Sequence, residues 1–194
     1  MTTRIALIGA GALGSHVALL TRNLDVVLKA VDFDRIEQKN TLSQFHTRMS
    51  LGHNKAKALK QTMMGLFGTR IEAVPHRLTV DNVDALLSDS DLILDCLDNG
   101  ASRRIVQTWA RAHNTPCLHG ALAPDGTYGR IVWDEHFAID DEPQHAQATC
   151  EDGEHLPFIV LVAAVMAQSV QTFLTRDGLK QSFHLHAGGV VQVT

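Results

Sequence analysis

The stretch Arg4-Ile5-Ala6-Leu7-Ile8-Gly9-Ala10-Gly11-Ala12-Leu13-Gly14 decides the fold. Residues 4–8 form an apolar run of strand length, and Leu13, Val17 and Leu20 behind the glycines recur at helical spacing. Between them lies a G-x-G-x-x-G turn. Gly9 permits a tight turn, Gly11 lets backbone approach a phosphate and Gly14 allows close packing of helix on strand. The N-terminus of the following helix presents unpaired N–H groups to an anion. Taken alone, the motif signals a dinucleotide site, and the bland alternative is a glycine turn with no ligand.

Outward from this turn, strands and helices alternate. A second strand over 26–31 ends at Asp32, and the polar segment 33–50 is too long for a simple connection, which marks it as functional. A helix over 53–67, a strand over 71–74, a short helix over 80–87, an apolar strand over 92–97 and a helix over 102–113 follow. Strands over 117–121 and 128–133 come next. The pattern predicts an α/β protein with a Rossmann-like, mostly parallel sheet, helices on both faces and right-handed connections. The acidic, turn-rich segment 134–156 reads as a mobile crossover loop. Pro157 suits the first turn of a helix over 157–175, which is apolar nearly all round and calls for burial in the sheet or in a subunit interface. Runs over 182–187 and 190–193, separated by Gly188-Gly189, predict a terminal hairpin, so antiparallel strands are expected toward the C-terminus. One domain over residues 1–194 is expected.

Composition narrows the function. A hydrophobic fraction of 45% and a charged fraction of 20% are those of a soluble globule, and a net charge of -4 offers no basic field for nucleic acid. The longest apolar run, 158–167, is shorter than the roughly 20 residues of a membrane-spanning helix. No signal-like segment opens the chain, and Cys96, Cys117 and Cys150 form no Cys-x-x-Cys pair, so a reducing, cytoplasmic setting is expected. Cys96 and Cys117 read as buried packing residues.

Asp32, at the end of the second strand, is placed to accept hydrogen bonds from ribose hydroxyls, whether of NAD or of ATP. What separates those ligands is the continuation Val31-Asp32-Phe33-Asp34-Arg35-Ile36-Glu37-Gln38-Lys39-Asn40, then Gln44-Phe45, then Gly52-His53-Asn54-Lys55. Leu94-Asp95-Cys96-Leu97-Asp98-Asn99, Arg103, His119-Gly120-Ala121 and Tyr128-Gly129-Arg130-Ile131 extend the series. In this order and at this spacing the chain resembles the ThiF, MoeB and ubiquitin-activating enzymes over residues 4 to about 133. The resemblance implies an ATP-dependent adenylyltransferase that uses ATP and Mg²⁺ on the C-terminal carboxylate of a small ubiquitin-like or sulfur-carrier protein. It implies nucleotide contacts from Gly9, Gly11, Ala12, Leu13, Gly14, Asp34, Gln44 and Leu97. It also implies Asp32 on the ribose, Asn40 in the phosphate pocket, Lys55 on the phosphates and Asp98 on Mg²⁺, with Asp95 as a possible helper. Lys55 and Asp98 are the expected catalytic residues. Such chemistry needs these types, because a carboxylate attacking the α-phosphate brings two anions together and the charge must be neutralised. The bland alternatives are a helix N-cap for Asp98 and an exposed helix lysine for Lys55, with Lys57 and Lys60 nearby.

The chain also departs from the family. Where relatives carry a phosphate-binding arginine one residue before Gln44, this sequence has Ser43, a neutral hydroxyl. Arg35, Arg48 or an arginine such as Arg4 of a neighbouring subunit is the expected substitute, and Ser43→Arg the change expected to restore a missing charge. The zinc-binding Cys-x-x-Cys pairs are absent from the sequence, so no structural zinc is expected; a loop site of His145, Cys150 and His155 is a weaker option. Cys150, in Ala148-Thr149-Cys150-Glu151, resembles the cysteine some relatives use to take the activated carrier covalently, and its alternative is an incidental loop thiol raised in pKa by its acidic neighbours. A homodimer, or a heterodimer with a related subunit, is expected through the 157–175 helix. Two competing functions remain open from the residues: an NAD-dependent oxidoreductase, which explains the glycines and Asp32 only, and a non-catalytic ThiF-like nucleotide-binding subunit, which Ser43 favours.

Overall fold

A computed structural model describes residues 2–139, 153–186 and 188–193. Strand β1 (Thr3–Ile8) runs into helix α1 (Ala12–Leu20), then β2 (Val26–Val31), the single-turn α2 (Asn40–Ser43), a 3-10 turn (Arg48–Ser50) and α3 (Lys55–Phe67). Next come β3 (Ile71–Val74), α4 (Val83–Leu87), β4 (Leu92–Asp95), α5 (Gly100–His113), β5 (Cys117–Leu122) and β6 (Tyr128–Trp133). A 3-10 turn (Asp134–His136), α6 (Leu156–Thr175), β7 (Phe183–His186) and β8 (Gly189–Gln192) complete the order. The eight strands among the described residues join one sheet in the order β3-β2-β1-β4-β5-β6-β7-β8. The first five pair in parallel and the last three antiparallel, as the sequence predicts.

Side-chain alternation builds the two layers. Ile5 and Leu7 of β1 and Leu92 and Leu94 of β4 face a core with Leu13 and Val17 of α1, Leu59 and Met63 of α3, and Val162 and Met166 of α6. Their neighbours Ala6, Ile8 and Ile93 face the other way, onto Leu87 of α4 and Val106 and Trp109 of α5. The period of two along each strand thus sorts the apolar residues between faces, and helices cover both. Gly120 of β5 lets α1 and α6 approach, since a methyl there would lie 2.4 Å from Leu13 Cδ2 and 2.9 Å from Met166 Sδ.

Register positions the site. Ile8 pairs with Val31 on one side and with Asp95 on the other, so Gly9, Asp32 and Cys96 leave the sheet side by side. Strand order reverses between β1 and β4, the crevice where open α/β sheets bind ligands.

Several boundaries differ from the expected ones. β4 stops at Asp95 rather than residue 97, because the Asp95 carboxylate accepts from Leu97 N at 3.0 Å and turns the chain out of the sheet. Segment 33–50 contains α2 and a 3-10 turn, and its far end is tied back by Ile36 N to His53 O at 2.9 Å and Gly52 N to Ile36 O at 2.9 Å. The start of the expected mobile loop is packed: Asp134 and Phe137 are buried. Residues 140–152, with Cys150 and His145, lie outside the described residues. Helix α6 is 20 residues long, apolar and long enough to cross a membrane by length and composition. Here its buried side, from Ile159 to Val170, packs on α1, β5 and β6, and Leu161 on the outer side is 41% exposed.

Candidate functional site

The glycine turn is shaped by contacts that tolerate no side chain at two of its three glycines. Gly9 has φ +93°, and a methyl there would sit 2.8 Å from Cys96 O; at Gly14 it would lie 1.9 Å from Gly9 O. At Gly11 a methyl would meet nothing within 4 Å. The smallness of Gly11 therefore answers to no neighbour among the described residues, which is what a ligand lying against the turn requires. Gly11 is also the N-cap of α1 and supplies no side-chain cap, so the first N–H groups of that helix, at Ala12 and Leu13, keep their capacity for an anion.

Asp32 clamps this turn to the end of β2. Its Oδ2 accepts from Ala10 N at 2.7 Å and its Oδ1 from Asp34 N at 2.8 Å. Burial pushes the carboxyl pKa up, against Lys55 and the two backbone donors, which pull it down. Asn54 donates to Asp32 O at 2.8 Å and caps α3 by accepting from Lys57 N, so the helix begins at Lys55. The Lys55 Nζ lies 3.3 Å from Asp34 Oδ2 with its side chain 10% exposed, whereas Lys57 and Lys60 are exposed. The helix-lysine alternative is thereby excluded for Lys55: its burial against Asp34 sets it apart from the two solvated lysines.

On the opposite wall, Asn40 begins α2 and accepts from Glu37 N at 2.8 Å through Oδ1. Ser43 is buried, and its carbonyl accepts from His16 Nε2 at 3.1 Å. Gln44 is buried as well. Sequence reasoning missed His46, whose Nε2 lies 2.8 Å from Ala10 O and which reaches the glycine turn itself. No spacing rule marks it, because the contact depends on how 33–54 folds back.

Asp98 is exposed just beyond β4, and the N-cap of α5 is Asn99, whose side chain accepts from Ser102 N at 2.9 Å. Asp98 is thus released from the capping role and keeps an exposed carboxylate. Asp95 has a different fate from the expected metal helper. It is fully buried, with Oδ2 accepting from Arg103 at 3.0 Å and from His119 Nδ1 at 2.7 Å. Arg103 also donates to Leu97 O and, at 2.8 Å, to Gly120 O, so it holds the segment preceding Asp98. His119 Nε2 lies 3.1 Å from Asp134 Oδ1, and the ring stacks on Phe137 with centroids 4.1 Å apart. A carboxylate on each ring nitrogen makes both nitrogens donors, which is the imidazolium form. Gln107 and Arg111 complete the cluster at Asp134, at 2.9 and 2.7 Å.

The elements, the turn and the order of polar residues are those of one family, whose sequence profile matches residues 1–188. The chain belongs to the ThiF family. It is 28% identical over 148 residues to the SAMP-activating enzyme E1 of Haloferax volcanii, covering 70% of this chain and 55% of that one. It is 27% identical over 193 residues to the adenylyltransferase and sulfurtransferase UBA4 of Lodderomyces elongisporus, covering 94% and 42%. It is 32% identical over 122 residues to the sulfur carrier protein adenylyltransferase of Thermus thermophilus, covering 61% and 45%. The chain thus spans about half the length of these curated relatives. Among solved structures, E. coli MccB with MccA-N7isoASN superposes with a TM-score of 0.80 at 13% identity, covering 99% of this chain and 64% of that one. PaaA superposes with a TM-score of 0.76 at 17% identity, covering 98% and 63%. These two likenesses show the fold.

Within this ThiF-family chain, the arginines suggested as substitutes at the phosphates are dispersed. Arg35 donates to Gly52 O at 2.8 Å, and Arg48 is exposed on the 3-10 turn. Arg4 stands at the opposite end of β1 from Gly9, paired with Glu72 and Asp89 at 2.9 Å each. With Ser43 only 1% exposed, Ser43→Arg would force a repacking, so it is a poorer probe than the sequence suggests. Cys117 is buried in the core as expected, whereas Cys96 is only partly buried and packs against the core's edge; desolvation pushes both thiols up. Among the described residues no group of three His, Cys, Asp or Glu side chains could hold a metal ion. Mg²⁺ usually takes one or two protein carboxylates and fills its shell with water and phosphate oxygens, so Asp98 alone fits it.

Proposed function

We propose that the protein adenylates the C-terminal carboxylate of a small ubiquitin-like or sulfur-carrier protein with ATP and Mg²⁺. The observation that carries this reading is the buried Lys55 paired with Asp34 beyond the end of β2, where Asp32 holds the glycine turn through the Ala10 N–H, in a chain matched to the ThiF family over residues 1–188. A carrier carboxylate oxygen attacks the α-phosphorus, the bond from that phosphorus to the bridging oxygen breaks, and pyrophosphate leaves with the electron pair. In this scheme the Gly11 backbone and the α1 N-terminus receive the phosphates, Asp32 the ribose, and Lys55 the charge gathered on the leaving pyrophosphate. Asn40, Gln44 and Leu97 line the pocket. Asp98 would hold Mg²⁺, which would supply charge neutralisation at the phosphates.

The reading is tested by calorimetry with ATP-Mg and with NAD, followed by pyrophosphate exchange with candidate carriers. ATP binding without NAD binding, and exchange that needs a carrier, are expected. NAD binding with no ATP response would overturn it. ATP binding with no exchange for any carrier would favour a non-catalytic ThiF-like subunit, the reading that Ser43 in place of arginine supports. A dimer through α6 and a cytoplasmic location belong to the same proposal; a monomer in light scattering of that preparation, or an exported protein in fractionated cells, would remove the respective part.

Cys150 is proposed as the second nucleophile. Its thiolate attacks the acyl-adenylate carbonyl, a thioester forms and AMP departs. Cys150→Ala is expected to leave exchange at the wild-type rate and to abolish the covalent adduct seen by intact-mass spectrometry; an adduct that survives in the variant removes Cys150 from the mechanism.

A further inference from the structure

Among the described residues, the buried side-chain atoms without a hydrogen-bond partner are Gln44 Oε1 and His46 Nδ1. Folded proteins pair nearly all such atoms, because an unsatisfied buried group costs about 1–3 kcal/mol. Both of these fall in one tripeptide, directly after the α2 turn that begins with Asn40, on side chains 7% and 6% exposed. Their common location, next to the glycine turn that His46 touches, marks a place where a partner from outside the described residues completes the wall.

The chemistry of that partner follows from His46. Its Nε2 faces the Ala10 carbonyl, which only accepts, so Nε2 carries the hydrogen. Burial pushes the ring's pKa down to about 4, and the nearby Lys55 and His16 push the same way against the pull of the Ala10 bond. The ring is therefore neutral at pH 7 and its Nδ1 is a bare acceptor, like Gln44 Oε1. Phosphate oxygens, which carry no hydrogen at that pH, are not what two acceptors bind. Ribose hydroxyls and metal-bound waters are. The link to the site is direct, since the Ala10 peptide is gripped on one side by Asp32 through its N–H and on the other by His46 through its carbonyl.

We propose that His46 joins Gln44 as a binding residue of the nucleotide site, its Nδ1, beside the Gln44 Oε1, accepting a hydrogen bond from a hydroxyl of the bound nucleotide or from the water shell of its Mg²⁺. This rests on the nucleotide reading above. It assigns the site a neutral, donor-reading wall on the 44–46 segment, beside the position where the family's arginine is missing.

His46→Gln is the sharpest variant, because the glutamine amide reproduces the Nε2 donor to Ala10 and lacks the Nδ1 acceptor. Calorimetry with ATP-Mg is expected to show about a tenfold weaker affinity, the loss of one buried hydrogen bond, with the melting temperature of the free protein unchanged. Titration with ATP in EDTA separates the two donors. A loss that persists without metal assigns the contact to a hydroxyl, and 2′-deoxy- or 3′-deoxy-ATP then shows no further loss in the variant; a loss seen only with Mg²⁺ assigns it to metal-bound water. If His46→Gln fails to fold, Gln44→Met serves, with the same loss expected. Equal affinities in wild type and variant, with or without a change in melting temperature, would overturn the proposal while leaving the nucleotide reading intact. A wild-type protein that binds no ATP in any form would overturn both.

Discussion

Replacing His119 with leucine is expected to cost the fold about 3–5 kcal/mol, the range for removing one partner from a buried charge cluster. Leucine fills much of the ring's volume and keeps an apolar contact with Phe137, so the loss isolates charge and hydrogen bonding rather than a cavity. Two carboxylates then share the site without the cation between them: Asp95, left to Arg103 and the Leu97 N–H, and Asp134, left to Gln107 and a half-exposed Arg111. Urea titration of wild type and variant measures the difference, and a loss below about 1 kcal/mol would mean that the arginines suffice. The pH dependence carries a sign of its own. Burial alone would push the His119 pKa down, but the Asp134 and Asp95 carboxylates on its two ring nitrogens outweigh it and raise the value to about 11. Unfolded histidine titrates near 6.5. The stabilisation is therefore fully present below about pH 6.5 and fades as pH rises toward about 11, and this alkaline slope is expected to vanish in His119→Leu. Asp134 acts at the other end: burial raises it, His119, Arg111 and Gln107 hold it down to about 2, and its contribution is lost as pH falls from about 4 toward that value.

Lys55→Ala is expected to lower turnover in pyrophosphate exchange by a factor on the order of 10²–10³ while changing ATP affinity far less. In the free protein the ammonium is neutralised in part by Asp34, at 3.3 Å, so ground-state phosphates compete for a charge that is already engaged. As the bond to pyrophosphate breaks, charge accumulates on the leaving group, and the lysine's interaction grows there. The effect therefore falls on the transition state. Stability should change little, since the Asp34 side chain is about half exposed and its ion pair is screened. Lys55→Arg keeps the charge but must fit a planar fork where a slender stem is 10% exposed, so it should restore binding better than rate. Equal losses in KM and kcat/KM with kcat unchanged would instead make Lys55 a ground-state anchor.

The parts legible from the chain were those written in local pattern. β2, β3 and β6 begin and end where the apolar runs do, and the glycine turn announces both neighbours. The sequence sets Lys55 apart from Lys57 and Lys60 by its distance from Gly52, and the structure sets it apart by burial, while its place on the phosphates belongs to the proposal. The course of 33–50 was not legible, because it is set by the pairing of Ile36 with the Gly52 N–H and the His53 carbonyl rather than by periodicity. The same holds for Asp95. A carboxylate at a strand end reads as a metal ligand until Arg103, His119 and Asp134, scattered over the next forty or so residues, are seen to surround it. His46 was hidden for the same reason, since a histidine after a glutamine has no signature until its ring is found against Ala10.

The contact of α1 with α6 across Gly120 has a consequence for synthesis. Leu20 ends α1 and Leu156 begins α6, 136 positions later by their numbers. At roughly 5–20 residues per second a ribosome takes on the order of 7–27 seconds to cover that gap. The α4 and α5 layer can close early, because its apolar members all precede Leu118. The Leu13 and Val17 face of α1, with the inner faces of β5 and β6, must wait uncovered for the 20-residue apolar α6. Nascent chains stalled or truncated before Leu156 would expose that surface, and they are the species from which chaperone binding and aggregation would draw.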